Sequence, residues 1–539
     1  MIRVPTLRYE NPVLTKELRS RMRGGRAFWV MFLYLGVIGL VFVICYASWA
    51  YITTNQTSAS GLGRNLFSAA TIVQLILAGV IVPSLTSGMI TLEKEQKTYE
   101  LLAATGLSPR NIVLGKLFSA LIFVVLLVLT TIPFTSVSFF FGGVSPFEVL
   151  AVYALLLSIS FLAASIGIVF SAIVNRTSGA VMSSYGVVIL LGILGSASVA
   201  WMTTRSMGVM NQSPNAGNWL LGPLLYGRGS AYGVTVPIWA FVCAYVILVG
   251  ILLLIFAIER MEHYREDKSL AKRIVSSILY VYSLALIFGF VLGFQQAGNV
   301  GMGRGFLNGL YTALFAIIVL MAPMFLSGEF VEKWRGSLIP YLVSGFSPRH
   351  WLRGVLRAGM PFLLLWVIVG ATLLRFSFMW SKVTVAPRSW SLFWVDSILL
   401  VAFLFGMWGI GVFLSAVTNQ RSRALAIAYL TAALLVVLPL LPLIWSDIPS
   451  VRPLQNLLYI NPFFPLWTQI DFASMRMADS LRFAPMAPWK VTSIVYGLIG
   501  IFGLAFATPL AAGIFPRPDE DAHPTPSAPP MVEPEPNPQ

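Results

Sequence analysis

Gly106-Leu107-Ser108-Pro109-Arg110 recurs 239 positions later as Gly345-Phe346-Ser347-Pro348-Arg349. At the same offset Gly222-Pro223-Leu224-Leu225 is answered by Asn461-Pro462-Phe463-Phe464. Between these pairs, Ser171-Ala-Ile-Val-Asn175-Arg-Thr-Ser178 returns as Ser415-Ala-Val-Thr-Asn419-Gln-Arg-Ser422, shifted five positions further. One such match would carry little; three in the same order point to a tandem duplication. Parallel repeats in a membrane protein place two related halves around a pathway, which favours transport over a scaffold.

The rest of the chain fits that reading. Its 539 residues are 57% hydrophobic and 11% charged, with a mean hydropathy of +0.81. Soluble domains carry about 25% charged residues. Crossing a hydrocarbon core of about 30 Å takes about 20 apolar residues. Twelve runs meet that length: Ala27–Tyr51, Leu66–Leu92, Leu117–Phe141, Phe147–Val174, Ala180–Met202, Val236–Ile258, Ile274–Phe294, Phe306–Leu326, Val355–Trp380, Leu392–Val417, Ala424–Trp445 and Val491–Ile514. The expected fold is an all-α polytopic membrane protein of about 12 transmembrane helices in two tandem six-helix repeats. The first half is residues 1–258, the second 259–515, and 516–539 form a Pro-rich acidic tail without the apolar content to fold. No cleavable signal peptide is expected, because seven basic residues and a polar helix precede the first run.

Orientation follows from the cations. With both termini inside, the inner segments hold 25 of the 36 lysines and arginines. The net charge of +15 is then chiefly a topological bias plus attraction to anionic headgroups, and no nucleic-acid partner is expected. Cys45 and Cys243 both fall inside expected spans, and the histidines at 263, 350 and 523 lie far apart, so neither a disulfide framework nor a metal site is expected.

Asn11-Pro12 can open a helix as N-cap and N1. Leu14, Leu18 and Met22 then make one apolar stripe among Lys16, Arg19, Arg21 and Arg23, the pattern of a helix lying in the membrane interface. A basic flank without fixed helical structure is the alternative.

The loop between the second and third runs reads Thr91-Leu-Glu93-Lys-Glu95-Gln-Lys97-Thr98-Tyr-Glu100-Leu-Leu-Ala-Ala-Thr105-Gly106-Leu-Ser108-Pro109-Arg110. Thr98 can cap a short helix, Glu100 sits in its positive first turn, and Gly106 can end it in the left-handed conformation. Ser108-Pro109 then restarts a helix. The second half keeps the frame with Ser337, Gly345 and Ser347-Pro348, followed by Arg349. Such a pair of capped elements on the inner face serves either as a docking surface or as a plain surface turn.

This loop resembles the coupling region of type-2 ABC transporter permeases, whose pattern is roughly Glu-x-Glu-x-Gly-Thr-x-Glu-x-Leu-Leu-x-Thr-Pro-Leu-Ser. Glu93, Glu95, Thr98, Glu100, Leu101, Leu102, Thr105, Leu107 and Ser108 match, some after a one-residue change of spacing. Lys97 stands where the pattern has Gly, and Gly106 where it has Pro. The opening Asn11-Pro12-Val-Leu-Thr-Lys16-Glu17-Leu-Arg19 is also similar to the start of such permeases. The second half diverges further: Glu332 is retained, Trp334 stands for Glu95, Ile339 stands for Glu100, and Gly336 recovers the pattern's glycine.

The resemblance implies a permease subunit that couples ATP hydrolysis by a separate ABC ATPase to export across a bacterial inner membrane. ATP would be bound by that partner, and the chain would need no cofactor. The implied docking residues are Glu93, Glu95, Thr98, Glu100, Gly106, Ser108 and Arg110 in the first loop. In the second they are Glu332, Ser337, Gly345, Ser347 and Arg349. With more matched carboxylates, the first loop is expected to matter more.

A P-loop needs GxxxxGK[ST], and the nearest run, Arg110-Asn-Ile-Val-Leu-Gly115-Lys116-Leu117, lacks the first glycine and the hydroxyl. The rival readings are a twelve-span secondary transporter and a membrane scaffold. The former needs coupling charges at the midplane. Glu148, Arg357, Arg375 and Asp396 all lie near span ends. The substrate is not specified by the sequence.

Overall fold

The computed structural model describes residues 12–23, 25–52, 59–99, 101, 107–192, 228–231, 234–261, 269–296, 304–327, 338–347, 356–380, 387–418, 421–437, 460–463 and 488–511. Nearly all of these are helical; one short antiparallel hairpin pairs β1 (Arg228–Ala231) with β2 (Val234–Pro237). The protein is an all-α polytopic membrane protein. Eight helices among the described residues are long and apolar enough to cross a bilayer, and three shorter apolar helices accompany them.

The chain divides into two compact units, Met1–Asn299 and Val300–Gln539. The first contains α1 (Pro12–Met22), α2 (Gly25–Ile52), α3 (Ala59–Ser87), α4 (Thr91–Glu95), α5 (Pro109–Thr130), α6 (Ile132–Phe141), α7 (Pro146–Ile173), α8 (Thr177–Gly192), α9 (Ile238–Met261) and α10 (Ser269–Gln296). The second contains α11 (Arg304–Leu326), α12 (Leu338–Ser344), α13 (Leu356–Trp380), α14 (Pro387–Thr418), α15 (Arg421–Val437) and α16 (Pro488–Ala511). Over its described residues each of the twelve expected runs coincides with one or two of these helices, the third being broken between α5 and α6; residues 193–202 of the fifth and 438–445 of the eleventh lie outside the described residues. Pro133 lies in the first turn of α6, so the break follows from its missing N–H, and the Thr131 hydroxyl donates to the Val128 carbonyl at 2.7 Å.

The seventh run, α10, packs with the first unit. Lys272 at its start pairs with Glu259 at the end of α9, and the Tyr282 hydroxyl donates to the Phe241 carbonyl at 3.1 Å. The division at 299/300 therefore lies beyond the repeat boundary read at 258/259. A repeat boundary records sequence correspondence, whereas α10 joins the unit that satisfies its buried cation.

In the first unit α7 is central, packing on α3, α5 and α9. Its inner half, Ala163-Ala164-Ser165-Ile166-Gly167-Ile168-Val169, is buried throughout, as only small residues alternating with β-branched ones permit on all sides of a helix. A methyl group at Gly250 of α9 would lie 2.4 Å from the Phe161 ring of α7, so that ring sits directly on the glycine backbone. The second unit repeats the contact. A methyl at Gly500 of α16 would lie 2.4 Å from the Phe405 ring of α14, and Phe405 is 244 positions after Phe161, the offset separating Ser171 from Ser415. Likewise Gly167 abuts Thr86 and Ser87 at the end of α3, while Gly411 abuts Leu326 and Ser327 at the end of α11.

Candidate functional site

The site is built where α1, the end of α3, the start of α5 and the end of α7 meet. Its centre is Lys116, two turns into α5 and 1% exposed. The ammonium donates to Glu93 Oε1 at 2.7 Å, Glu17 Oε1 at 3.1 Å and the Met89 carbonyl at 3.0 Å. All three ammonium protons are used, so the charge is tolerated where a bare lysine would be costly. One cation thus ties α1 and the loop after α3 to the third span.

α1 is a helix whose face toward the protein is made by residues other than the apolar stripe read in the sequence. Val13 is buried in the core of the unit, Glu17 meets Lys116, and the Arg21 guanidinium donates from Nη2 to the Leu85 carbonyl at 3.2 Å. These three are spaced four apart and form one face. Burial lowers the pKa of Arg21 from its ordinary value, and the charge of Glu17 works against that shift. Leu14, Leu18 and Met22 fall on the neighbouring face; Leu14 and Leu18 are half-buried and Met22 is exposed. The apolar stripe is therefore turned away from the protein core, and the polar face is the one that docks.

The loop itself is held by its charged residues. The Lys94 ammonium donates to three carbonyls at the end of α7: Ala172 at 2.6 Å, Ser171 at 3.2 Å and Val174 at 3.3 Å. These are among the carbonyls that a helix C-terminus leaves without partners. Glu95 accepts from the Thr177 backbone N–H at 2.8 Å and from its hydroxyl at 2.8 Å, at the positive start of α8. Returning the connection, the Ser171 hydroxyl oxygen accepts the Ile90 and Thr91 N–H groups at 2.8 and 3.1 Å.

Glu93 and Glu95, expected as docking carboxylates, are thus both engaged within the protein. Thr98 is exposed, and its N–H and hydroxyl donate to the Glu93 carbonyl at 2.9 and 3.3 Å just ahead of the helical Tyr99. Tyr99 reaches across to the Met261 carbonyl at 3.3 Å; burial raises its pKa, with Arg260 opposing. Leu92, Gln96, Lys97 and Leu101 are exposed. Lys97 adopts φ 57°, a left-handed conformation that costs a side-chain-bearing residue about 1–2 kcal/mol. This is the position at which the resembling pattern carries glycine.

Ser108 caps α5 as expected, its hydroxyl oxygen accepting the Asn111 N–H at 3.4 Å, with Pro109 as the first helical residue; Arg110 is exposed. Glu100 and Gly106 lie outside the described residues, as do Glu332, Ser337 and Arg349. In the second unit Gly345 is buried and Ser347 half-buried. After α12 the chain closes with three successive i→i−3 bonds, at Gly345, Phe346 and Ser347, in place of a left-handed glycine. α12 turns Leu338, Tyr341 and Leu342 inward and leaves Ile339, Val343 and Phe346 exposed.

Glu148, flagged by sequence as a charge near the bilayer, completes a capping box with Ser145 at the start of α7. The residues that sequence reasoning missed are Glu17, Lys94, Lys116, Ser171 and Thr177. Ser171 and Thr177 stood inside the repeated segment, which was the available signal.

Residues 12–218 match the family model of the ABC-2 family transporter proteins. Comparison with curated proteins and with solved structures finds no match to the chain. The matched segment contains α1 to α8 with the Lys116 and Lys94 contacts, and over that segment the chain is similar to the ABC-2 family transporter proteins.

Proposed function

We propose that the chain is the membrane-spanning permease of an ATP-driven exporter in a bacterial inner membrane, with ATP bound and hydrolysed by a separate ABC ATPase. One observation carries this reading. Within the family-matched segment, residues 91–98 are bolted to the helix bundle by Glu93, Lys94 and Glu95, while Leu92, Gln96, Lys97, Thr98 and Leu101 are turned outward. A rigidly mounted element with an unpartnered outer face suits a docking ATPase, whose ATP-driven closure would press on it. The distribution of lysine and arginine supports an inner-face location for this loop and for α12.

The second unit is read as a diverged copy of the first, completing a two-half permease. The repeated Phe161/Gly250 and Phe405/Gly500 contacts support this beyond the sequence correspondence. The transported molecule is left open.

The experiment is affinity purification of the full chain from its native membrane. A P-loop ATPase should co-purify in stoichiometric amount, and the chain stripped of it should hydrolyse no ATP above background. Robust hydrolysis by the isolated chain would sink the proposal.

A further inference from the structure

Two residues grip the loop, Lys94 half-buried and Glu95 exposed. Lys94 has three N–H donors, and three carbonyls of the α7 terminus take them. Glu95 has two carboxylate oxygens, and both accept from Thr177. Adjacent residues of opposite charge thus meet adjacent helix ends of opposite polarity: the cation at the C-terminus of α7, the anion at the N-terminus of α8. Only residues 174–176 separate those two ends. The Ser171 hydroxyl closes the connection from the other side by accepting Ile90 and Thr91 N–H groups. Beneath it Gly167 lies flush against Thr86 and Ser87, leaving α3 and α7 no slack at the same level.

We infer that Lys94 and Glu95 are positioning residues that carry movement of the 91–98 loop to the α7–α8 corner, and that neither contacts the ATPase. This rests on the docking function proposed above. A displacement of the loop must either drag the corner with it or break the Lys94 and Glu95 contacts together. Sequence resemblance had placed Glu95 on the docking surface; Glu95 is exposed, but both of its carboxylate oxygens are taken up by Thr177.

The test uses the full chain with whatever ATPase it retains from its native membrane. Three disrupting variants, with Lys94→Arg as a conservative control, are compared with wild type: Lys94→Met, Glu95→Gln and Thr177→Val. The last removes one bond to Glu95 and leaves every charge in place. Each is made with and without a reporter cysteine at Met182 on the exposed face of α8, in a background with Cys45 and Cys243 replaced. Two quantities are read: ATPase retained per chain, and the ATP-dependent change in labelling rate of the reporter.

Wild type should retain ATPase and show an ATP-dependent change in labelling. Lys94→Met and Glu95→Gln should retain ATPase within about twofold of wild type and lose most of the labelling change. Thr177→Val should lose part of it, and Lys94→Arg, which keeps donors for the carbonyls, should restore it.

Loss of ATPase retention in Glu95→Gln at unchanged thermal stability would put that residue on the docking surface and overturn the inference. An unchanged labelling response in all three variants would overturn it as well. Failure of the wild-type chain to retain any ATPase overturns the docking function and this inference with it, a result distinct from the other two.

Discussion

The loop after α3 in the first unit and the described part of its counterpart in the second, residues 338–347, are seated by different side chains. The first is fastened by charge: Lys116 between Glu17 and Glu93, Lys94 on the end of α7, Glu95 on the start of α8. At the matching offsets the second half carries Val355 for Lys116, Trp334 for Glu95 and Arg421 for Thr177. Its short helix α12 is seated by Leu338, Tyr341 and Leu342 and presents Ile339, Val343 and Phe346 outward. The outward residues of the first loop are thus mixed, Leu92 and Leu101 beside Gln96, Lys97 and Thr98, whereas Ile339, Val343 and Phe346 of the second are all apolar. The lesson is that matched carboxylates do not identify the stronger docking surface, because in the first loop Glu93 and Glu95 are used for mounting.

The largest expected effect comes from making the first loop like the second at its centre. Lys116→Met leaves Glu17 and Glu93 facing each other without their cation. Breaking a buried pair in this way costs about 3–5 kcal/mol. Thermal unfolding of the purified variant should show a large drop in midpoint. Adding Glu17→Gln and Glu93→Gln should recover most of the loss, since removing all the charges together avoids the unpaired carboxylates. A triple variant as unstable as the single one would mean that Lys116 acts through packing alone.

A smaller effect tests the apolar ridge of Ile339, Val343 and Phe346. Val343→Asp puts a charge into the exposed face of α12, where no buried partner is disturbed. If the ridge is covered by the ATPase, retention should fall about tenfold, corresponding to about 1.4 kcal/mol. The midpoint of unfolding should stay unchanged. Retention equal to wild type would confine docking to the first unit.

The smallest effect lies at Lys97. Lys97→Gly relieves the left-handed strain at some cost in chain entropy, for a net gain of about 0.5–1 kcal/mol. The gain should appear as a modest rise in unfolding midpoint. A loss of stability would mean that the side chain makes a favourable contact outweighing its backbone strain.

The spans were legible because crossing a bilayer imposes length and composition on each helix separately, and over their described residues all twelve runs fall on helices. The Ser108-Pro109 cap was legible for the same reason, being decided within four residues, whereas Glu148 was read only as a charge near a span end and its capping box with Ser145 was not. What else escaped reading depends on distant partners. Glu17 and Lys116 are 99 positions apart, and nothing near either residue announces the other. The stripe of Leu14, Leu18 and Met22 was read as lying in the membrane interface, and nothing in the local sequence says which other face of α1 meets the protein. Beside a membrane the apolar stripe has a second place to go, so Val13, Glu17 and Arg21 could take the protein side. The Phe161/Gly250 and Phe405/Gly500 contacts were invisible because glycine shows what it admits only once its neighbour is placed.

The bond from Glu17 to Lys116 also sets an order of events during synthesis. α1 leaves the ribosome first, but the residue that receives its carboxylate is made 99 residues later. At about 5–20 residues per second, that is roughly 5–20 s in which Glu17 is without this cation. The outward stripe of Leu14, Leu18 and Met22 gives α1 somewhere to wait on the membrane surface until the third span arrives to collect it.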